Sequence, residues 1–240
     1  MEAVIAQRAI CRPSRNRRAS RRCPSTAGRR GPRLLVAFAT AFAIGSLVSA
    51  ADAARFQVAG IPIEGNHFCI TVDHSRAMGG KAPNPAGVSG ELAETLLRRL
   101  TAADRFTLIA YHKQAMTFGI EGEGRAIPAT DANRQKALAW LANVPCDKAP
   151  EHFRAAQAAV GSGADVVFFF TTGGEPAISN LELRKLKKHA DGGPQIFVVE
   201  LGWGDPLGPP KFTQRLAELG GGKVIYIDLL EKARTSAGGR

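Results

Sequence analysis

Residues 66–80 read NHFCITVDHSRAMGG. The first eight form an apolar, β-branched run that closes on an aspartate, Asp73. Such a run suits a strand covered on both faces. Ser75 follows two residues later, then Ala77, Met78 and the pair Gly79-Gly80. An acidic residue at the carboxyl end of a buried strand stands where open α/β sheets collect ligands. The flanking segments decide whether this strand lies in such a sheet.

Downstream, strand-like and helix-like segments alternate. GELAETLLRRL (90–100) carries Leu92, Leu96 and Leu100 at helical spacing. FTLIAYH (106–112) reads as a second strand, and AMTFGI (115–120) follows after a gap too short for a crossover, so it is an antiparallel hairpin partner. DANRQKALAWLANV (131–144) and PEHFRAAQAAV (150–160) are helical, with Pro150 suited to a first turn. ADVVFFFTT (164–172) and QIFVVELG (195–202) are continuous apolar strands. Between them SNLELRKLKKHA (179–190) opens with the capping box Ser179/Glu182. KFTQRLAELGGG (211–222) is a helix with a glycine stop, and KVIYID (223–228) is the last strand. This order predicts an α/β fold: a single three-layer, Rossmann-like domain over residues 54–240. Its sheet is mostly parallel and six-stranded, with one antiparallel edge strand. In the strand order 3-2-1-4-5-6, Asp73 stands at the switch point.

The stretches FCITVDHSRAM, LLRRLTAADRFTLIAYHKQA, ADVVFFFTTGGEP and IFVVELG…FTQRLAELGGGKVIYID, in this order and spacing, resemble a von Willebrand factor A-type (vWA) domain over about residues 58–230. The resemblance implies a metal-ion-dependent adhesion site at the top of the sheet. Its pattern is Asp-x-Ser-x-Ser after the first strand, a Thr in a second loop and an Asp in a third loop reading Thr-Asp-Gly. Carried over, the first Asp is Asp73 and the first Ser is Ser75, but the second Ser falls on Ala77. The second-loop Thr falls on Pro150, and the third-loop Asp on Thr172. Ala77 and Pro150 offer no side-chain oxygen, and Thr172 offers no charge. A Mg²⁺-like ion wants six oxygens in octahedral geometry. The resemblance therefore implies a degenerate site, with Asp73, Ser75 and Thr172 as residual ligands of a weakly held or lost metal. No cofactor beyond a weak Mg²⁺ is expected.

The chain has 240 residues and a formal net charge of +11. Residues 1–53 hold ten arginines against Glu2 and Asp52, whereas residues 54–240 hold 22 Lys and Arg against 19 Asp and Glu. The body is thus near neutral and lacks the basic stripe of a nucleic-acid binder. In the first 53 residues, arginines precede an apolar stretch from Leu34 to about Val48, followed by the small-x-small sequences VSA (48–50) and ADA (51–53). That is the pattern of a signal peptide. The alternative is an uncleaved anchor, although the stretch is short for a span. Export to the outside of the cell or the periplasm follows, or membrane anchoring with the domain outside the cytoplasm. Cys69 and Cys146 remain in the body and read as small buried or half-buried thiols rather than a disulfide.

Other constellations carry less. His74, Glu151, His152 and Glu175 fall near the same loop face but match no short metal motif. Asp73 with Ser75 lacks an aligned base for nucleophilic catalysis. GGKAPNPAG (79–87) reads as a surface loop, Trp203 as a contact residue, Trp140 as core, and the run Arg184-Lys185, Lys187-Lys188 as a solvated helix face. The expected function is non-enzymatic, with no catalytic residues: binding an unidentified protein partner, or scaffolding, largely without metal. The alternative is a Mg²⁺- or Mn²⁺-dependent adhesion module with an incomplete ligand set, and a hydrolase using the loop face ranks third. N-terminal sequencing of protein from the producing cell is expected to find a mature start near residue 51 or 54; full-length chain in the membrane fraction would instead identify an anchor.

Overall fold

The computed structural model describes residues 56–58, 61–80, 84–190, 192–204 and 211–237. The leader read from residues 1–53 lies outside them. Two short strands, β1 (Phe56–Val58) and β2 (Ile61–Ile63), pair antiparallel as a separate ribbon. The remaining elements run β3 (His67–Asp73), α1 (Pro85–Arg99), β4 (Arg105–Tyr111), β5 (Ala115–Thr117), β6 (Ile127–Pro128), α2 (Asp131–Ala142), α3 (His152–Val160) and β7 (Val166–Thr171). Then come α4 (Asn180–Ala190), β8 (Gln195–Gly202), α5 (Phe212–Leu219), β9 (Val224–Asp228) and α6 (Leu229–Ala237).

The main sheet follows the order β5-β4-β3-β7-β8-β9, which is the expected path with β5 as the antiparallel edge. A seventh strand, the two-residue β6, adds antiparallel to the Arg105–Phe106 end of β4. It is too short to show periodicity, and it contains Pro128, which only an edge tolerates. The chain leaves β3 outward to β4 and β5 and returns to β7 on the other side. The crevice at the carboxyl ends of β3 and β7 is therefore the switch point.

Alternation along each strand divides the core into two layers. Ile70, Val72, Leu108, Ala110, Phe168 and Phe170 face one side with residues of α1 and α2. Cys69, Ile109, Tyr111, Val167, Phe169 and Val198 face the other with residues of α3, α4 and α5. Phe168, Phe169 and Phe170 are all essentially fully buried. Removing each from water contributes about 2 kcal/mol. Phe168 stacks on Phe197 with centroids 5.6 Å apart, and Phe169 meets Tyr111 at 5.3 Å.

Two local readings change. Helix α1 begins at Pro85, inside the segment read as a surface loop, because the Asn84 side chain accepts the Gly87 N–H at 2.7 Å and Pro85 occupies the first turn. Its buried residues include Ser89, Ala93 and Leu97, the last two one position along from Leu92 and Leu96, which are only partly covered. Helix α3 starts at His152, two residues after Pro150. The capping box forms as read: the Glu182 N–H donates to Ser179 Oγ at 3.3 Å, and Glu182 Oε2 accepts the Ser179 N–H at 2.9 Å. Cys69 is buried, Cys146 is half-buried, and both are free thiols. Trp140 is partly buried and packs against Phe118 at 5.7 Å.

β7 is central, so a charge placed there has no partner and no water. Val167→Asp is expected to yield no folded protein, and Val167→Ala to lower stability by about 2 kcal/mol. Urea unfolding followed by circular dichroism reads both, and a near-native midpoint for Val167→Asp would contradict a central β7.

Candidate functional site

Three loops meet at the carboxyl end of β3. The first carries Asp73 to Met78, and its His74 N–H donates to the Tyr111 carbonyl at 2.6 Å. The second passes alongside: Ser75 bridges to Lys148, and the Arg76 N–H donates to the Lys148 carbonyl at 2.8 Å. The third leaves β7 at Thr171 and turns at Gly173, whose φ of +66° lies in the left-handed region that favours glycine. A side chain at Gly173 would also press on Thr213 and Glu200 at 3.3–3.4 Å.

Asp73 is fully buried. Its Oδ1 accepts the Ser75 N–H at 2.7 Å, and its Oδ2 accepts the Thr171 hydroxyl at 3.2 Å. Thr171 Oγ1 in turn accepts the Gly173 N–H at 3.0 Å, which ties the third loop to the first. Burial pushes the Asp73 carboxyl up to about 6, opposed first by the Ser75 N–H and then by the hydroxyls around it. The hydroxyl that reaches Asp73 belongs to Thr171, the residue before Thr172. Desolvation outweighs these hydrogen bonds, so the ionised form is not favoured over its state in water.

The five positions of the adhesion pattern are distributed as follows. Asp73 and Ser75 are buried side by side, and Ser75 Oγ has no hydrogen-bond partner. Ala77 is exposed, Pro150 is buried, and Thr172 is half-buried next to Thr171. A second carboxylate, Glu200 at the end of β8, is not available either. Lys211 Nζ pairs with it at 2.5 Å, and the Thr213 hydroxyl donates to it at 2.7 Å. The five positions supply one engaged carboxylate and two hydroxyls, so a Mg²⁺-like ion here would depend on water or a partner for the rest of its six oxygens. Among the described residues no group of three or more His, Cys, Asp or Glu is placed to hold a metal.

His152 is engaged at both ring nitrogens and His74 at Nδ1, while His74 Nε2 is buried without a partner. His152 is buried, and its Nε2 lies 3.1 Å from the Gly174 carbonyl, which can only accept. Nε2 therefore carries the proton, and Nδ1 accepts the Tyr111 hydroxyl at 2.8 Å. Burial holds the His152 ring down at about 4, so it is neutral. His74 Nδ1 likewise donates to the Val144 carbonyl at 3.0 Å. Cys146 Sγ approaches the same nitrogen at 3.6 Å, but burial first, then Asp73 and Asp147, push its thiol up. Tyr111, Thr171 and Glu200 were not singled out from the sequence. Each is the polar residue at or next to the carboxyl end of an apolar strand, which was the available signal.

No protein-family model matches the chain, and no curated protein matches it in sequence. Solved structures do match. A von Willebrand factor type A structure from Catenulispora acidiphila superposes with a TM-score of 0.58 at 18% identity, covering 73% of this chain and 42% of that one. The fold is of the von Willebrand factor A type. An aerotolerance-related membrane protein from Bacteroides fragilis, in a form with multiple mutations to serines, matches at a TM-score of 0.52 and 17% identity, over 72% of this chain and 97% of that one. The vWA-type chain described here thus spans less than half of the Catenulispora protein's length.

Two of the buried titratable groups in this vWA-type fold, Asp73 and His152, act on stability with opposite sign. His152 has a folded value near 4, below its ordinary 6.5, so its contribution is present above 6.5 and is lost as pH falls through 4. Asp73 has a folded value near 6, above its ordinary 3.8, so its contribution is present at low pH and is lost as pH rises through 6. Each effect amounts to about 3 kcal/mol. Urea melts between neutral pH and pH 4 are expected to show a smaller acid loss for His152→Gln than for the natural chain. Asp73→Asn is expected to show a larger one.

Proposed function

We propose that this chain is an exported, non-enzymatic vWA-type domain that binds another protein, or scaffolds an assembly, largely without a metal ion. The observation that carries this reading is the state of Asp73. The residue at the first ligand position is sealed from solvent and held by the Ser75 amide and the Thr171 hydroxyl. Residues without side-chain oxygens stand at Ala77 and Pro150. The non-enzymatic part is supported by His74, whose Nδ1–H is committed to Val144, leaving no lone pair there to activate the nearby thiol. Protein binding is supported by Trp203, which follows the end of β8 and is 54% exposed. An exposed tryptophan at the carboxyl end of a rigid sheet is a characteristic anchor of protein interfaces. Nucleic acid remains outside the proposal, given the near-neutral body.

Export rests on the apolar stretch 34–48, which lies outside the described residues. No helix among the described residues is long and apolar enough to cross a membrane.

One observation favours the second reading, a Mg²⁺- or Mn²⁺-dependent adhesion module. Ser75 Oγ is buried without a partner beside Asp73. An orphaned hydroxyl there is an oxygen that an ion could take up, with water or a partner's carboxylate completing the shell.

Thermal melting with added divalent ion separates the two. A ligand raises the melting temperature only when its concentration exceeds its dissociation constant. The natural chain is expected to melt at the same temperature with and without millimolar Mg²⁺. Ala77→Ser, Pro150→Thr and Thr172→Asp combined are expected to make melting metal-dependent, and to lower it without metal because two carboxylates then stand close together. Micromolar Mg²⁺ affinity of the natural chain, abolished by Asp73→Ala, would overturn the metal-independent reading.

A further inference from the structure

Helix α4 turns Leu183, Leu186 and Ala190 into the core. Its outer side exposes Arg184, Lys185, Lys187 and Lys188. Beside it, α5 contributes Arg215 to a groove of about 440 Å³ between the two helices. Leu183 and Leu219 supply the apolar part of the lining, and Arg184, Lys187 and Arg215 stand around it, with Glu218 as the one acid among the described residues. At the start of α4, Leu181 is 61% exposed, which adds an apolar side chain beside these cations.

Among the described residues these cations form no ion pair, although Lys185 lies in the field of Glu182. Among the described residues, the ion pairs involve Glu94, Glu123, Asp131, Glu200 and Glu91, and none includes Arg184, Lys185, Lys187, Lys188 or Arg215. Two nearby acids are occupied: Glu182 by the Ser179 cap and Glu218 by the Gln214 amide at 3.2 Å. Arg215 is fixed at one end by Asn180 Oδ1, while its buried Nε–H has no partner. A guanidinium held in place beside leucines is preorganised for a carboxylate, and little side-chain freedom is lost when one binds.

We propose that the α4–α5 groove is a docking site for an acidic, leucine-bearing polypeptide segment. The proposal rests on the reading of this chain as a protein-binding domain and names the surface and the partner chemistry. Charge complementarity and shape select this occupant. The leucine-lined concavity takes apolar side chains of a helical or extended segment, and the surrounding cations meet its carboxylates. A flat anionic membrane could meet the exposed lysines but could not fill the groove. A nucleic acid would need a longer basic track, and residues 54–240 balance 22 cations with 19 acids.

Fluorescence anisotropy of the full chain with a fluorescein-labelled peptide of repeated Glu-Glu-Leu-Leu units tests this. Saturable binding is expected, weakening with added salt. The double reversal Arg184→Glu with Lys187→Glu, at exposed positions, is expected to weaken it about tenfold. Arg98→Glu on α1 is expected to leave it unchanged. Circular dichroism confirms that each variant is folded, and the salt dependence of the natural chain is a readout that needs no variant. Three results would overturn the proposal. One is affinity unchanged by the double reversal. Another is equal affinity for poly-glutamate, which lacks leucine. The third is no binding to the peptide, including the case where the chain sediments with phosphatidylcholine–phosphatidylserine vesicles instead. Each leaves the Mg²⁺ melting result standing, so failure here is distinguishable from failure of the metal-independent reading.

Discussion

β3 and β7 pair in parallel from Phe68 against Val166 to Val72 against Phe170, although they are 98 positions apart in the chain. This pairing joins the two halves of the sheet. Everything on the β4 side and everything on the β8 side is registered through it. Parallel strands offer hydrogen bonds but no connection of their own, so the helices that link them must cover both faces. The apolar runs of β3 and β7 make that cover favourable, because any face left open would expose phenylalanine to water. The same register brings Thr171 to Asp73, which no shorter-range contact could do.

The site is a consequence of that register. Where the strands end, the core ends as well, and polar residues meet in a space that still excludes water. Asp73, Glu200 and His152 are all buried, and each has its own internal donors or acceptors. Two of these groups are held away from their ordinary protonation behaviour by burial, the carboxyl upward and the imidazole downward. The loops are thereby fastened to one another: the Asp73 loop to β7 through Thr171, and α3 to β4 and the third loop through Tyr111 and Gly174. Such a face is suited to presenting a fixed shape. The α4–α5 surface, by contrast, holds its cations in no ion pair among the described residues. Binding energy between this domain and an acidic partner would be concentrated there, where it need not displace interactions that hold the fold.

Much of the architecture was legible in the sequence because it depends on periodicity. The unbroken apolar runs VVFFF and IFVVE announce buried parallel strands, and the short Lys113-Gln114 gap announces the β4–β5 hairpin. The misreadings were local and have local causes. Asn84 and Pro85 start α1 earlier than the leucine pattern suggests, since a cap depends on one side chain and leaves no period. The β6 strand is two residues long and escapes any window.

The amino-acid sequence by itself determined the α/β class, the antiparallel β4–β5 hairpin, the position of Asp73 at the end of β3, and the side chains missing at Ala77 and Pro150. These follow from local composition and from which atoms each residue carries. Only the tertiary structure decided who partners whom. That Thr171 rather than Thr172 holds Asp73, that the Tyr111 hydroxyl donates to His152 Nδ1, that Lys211 neutralises Glu200, and that α4 and α5 enclose a basic groove all depend on contacts between distant segments. The physical reason is that burial and hydrogen bonding are properties of a place in three dimensions. The same carboxylate is an ordinary acid on an open loop and a raised, sealed one beneath three converging loops.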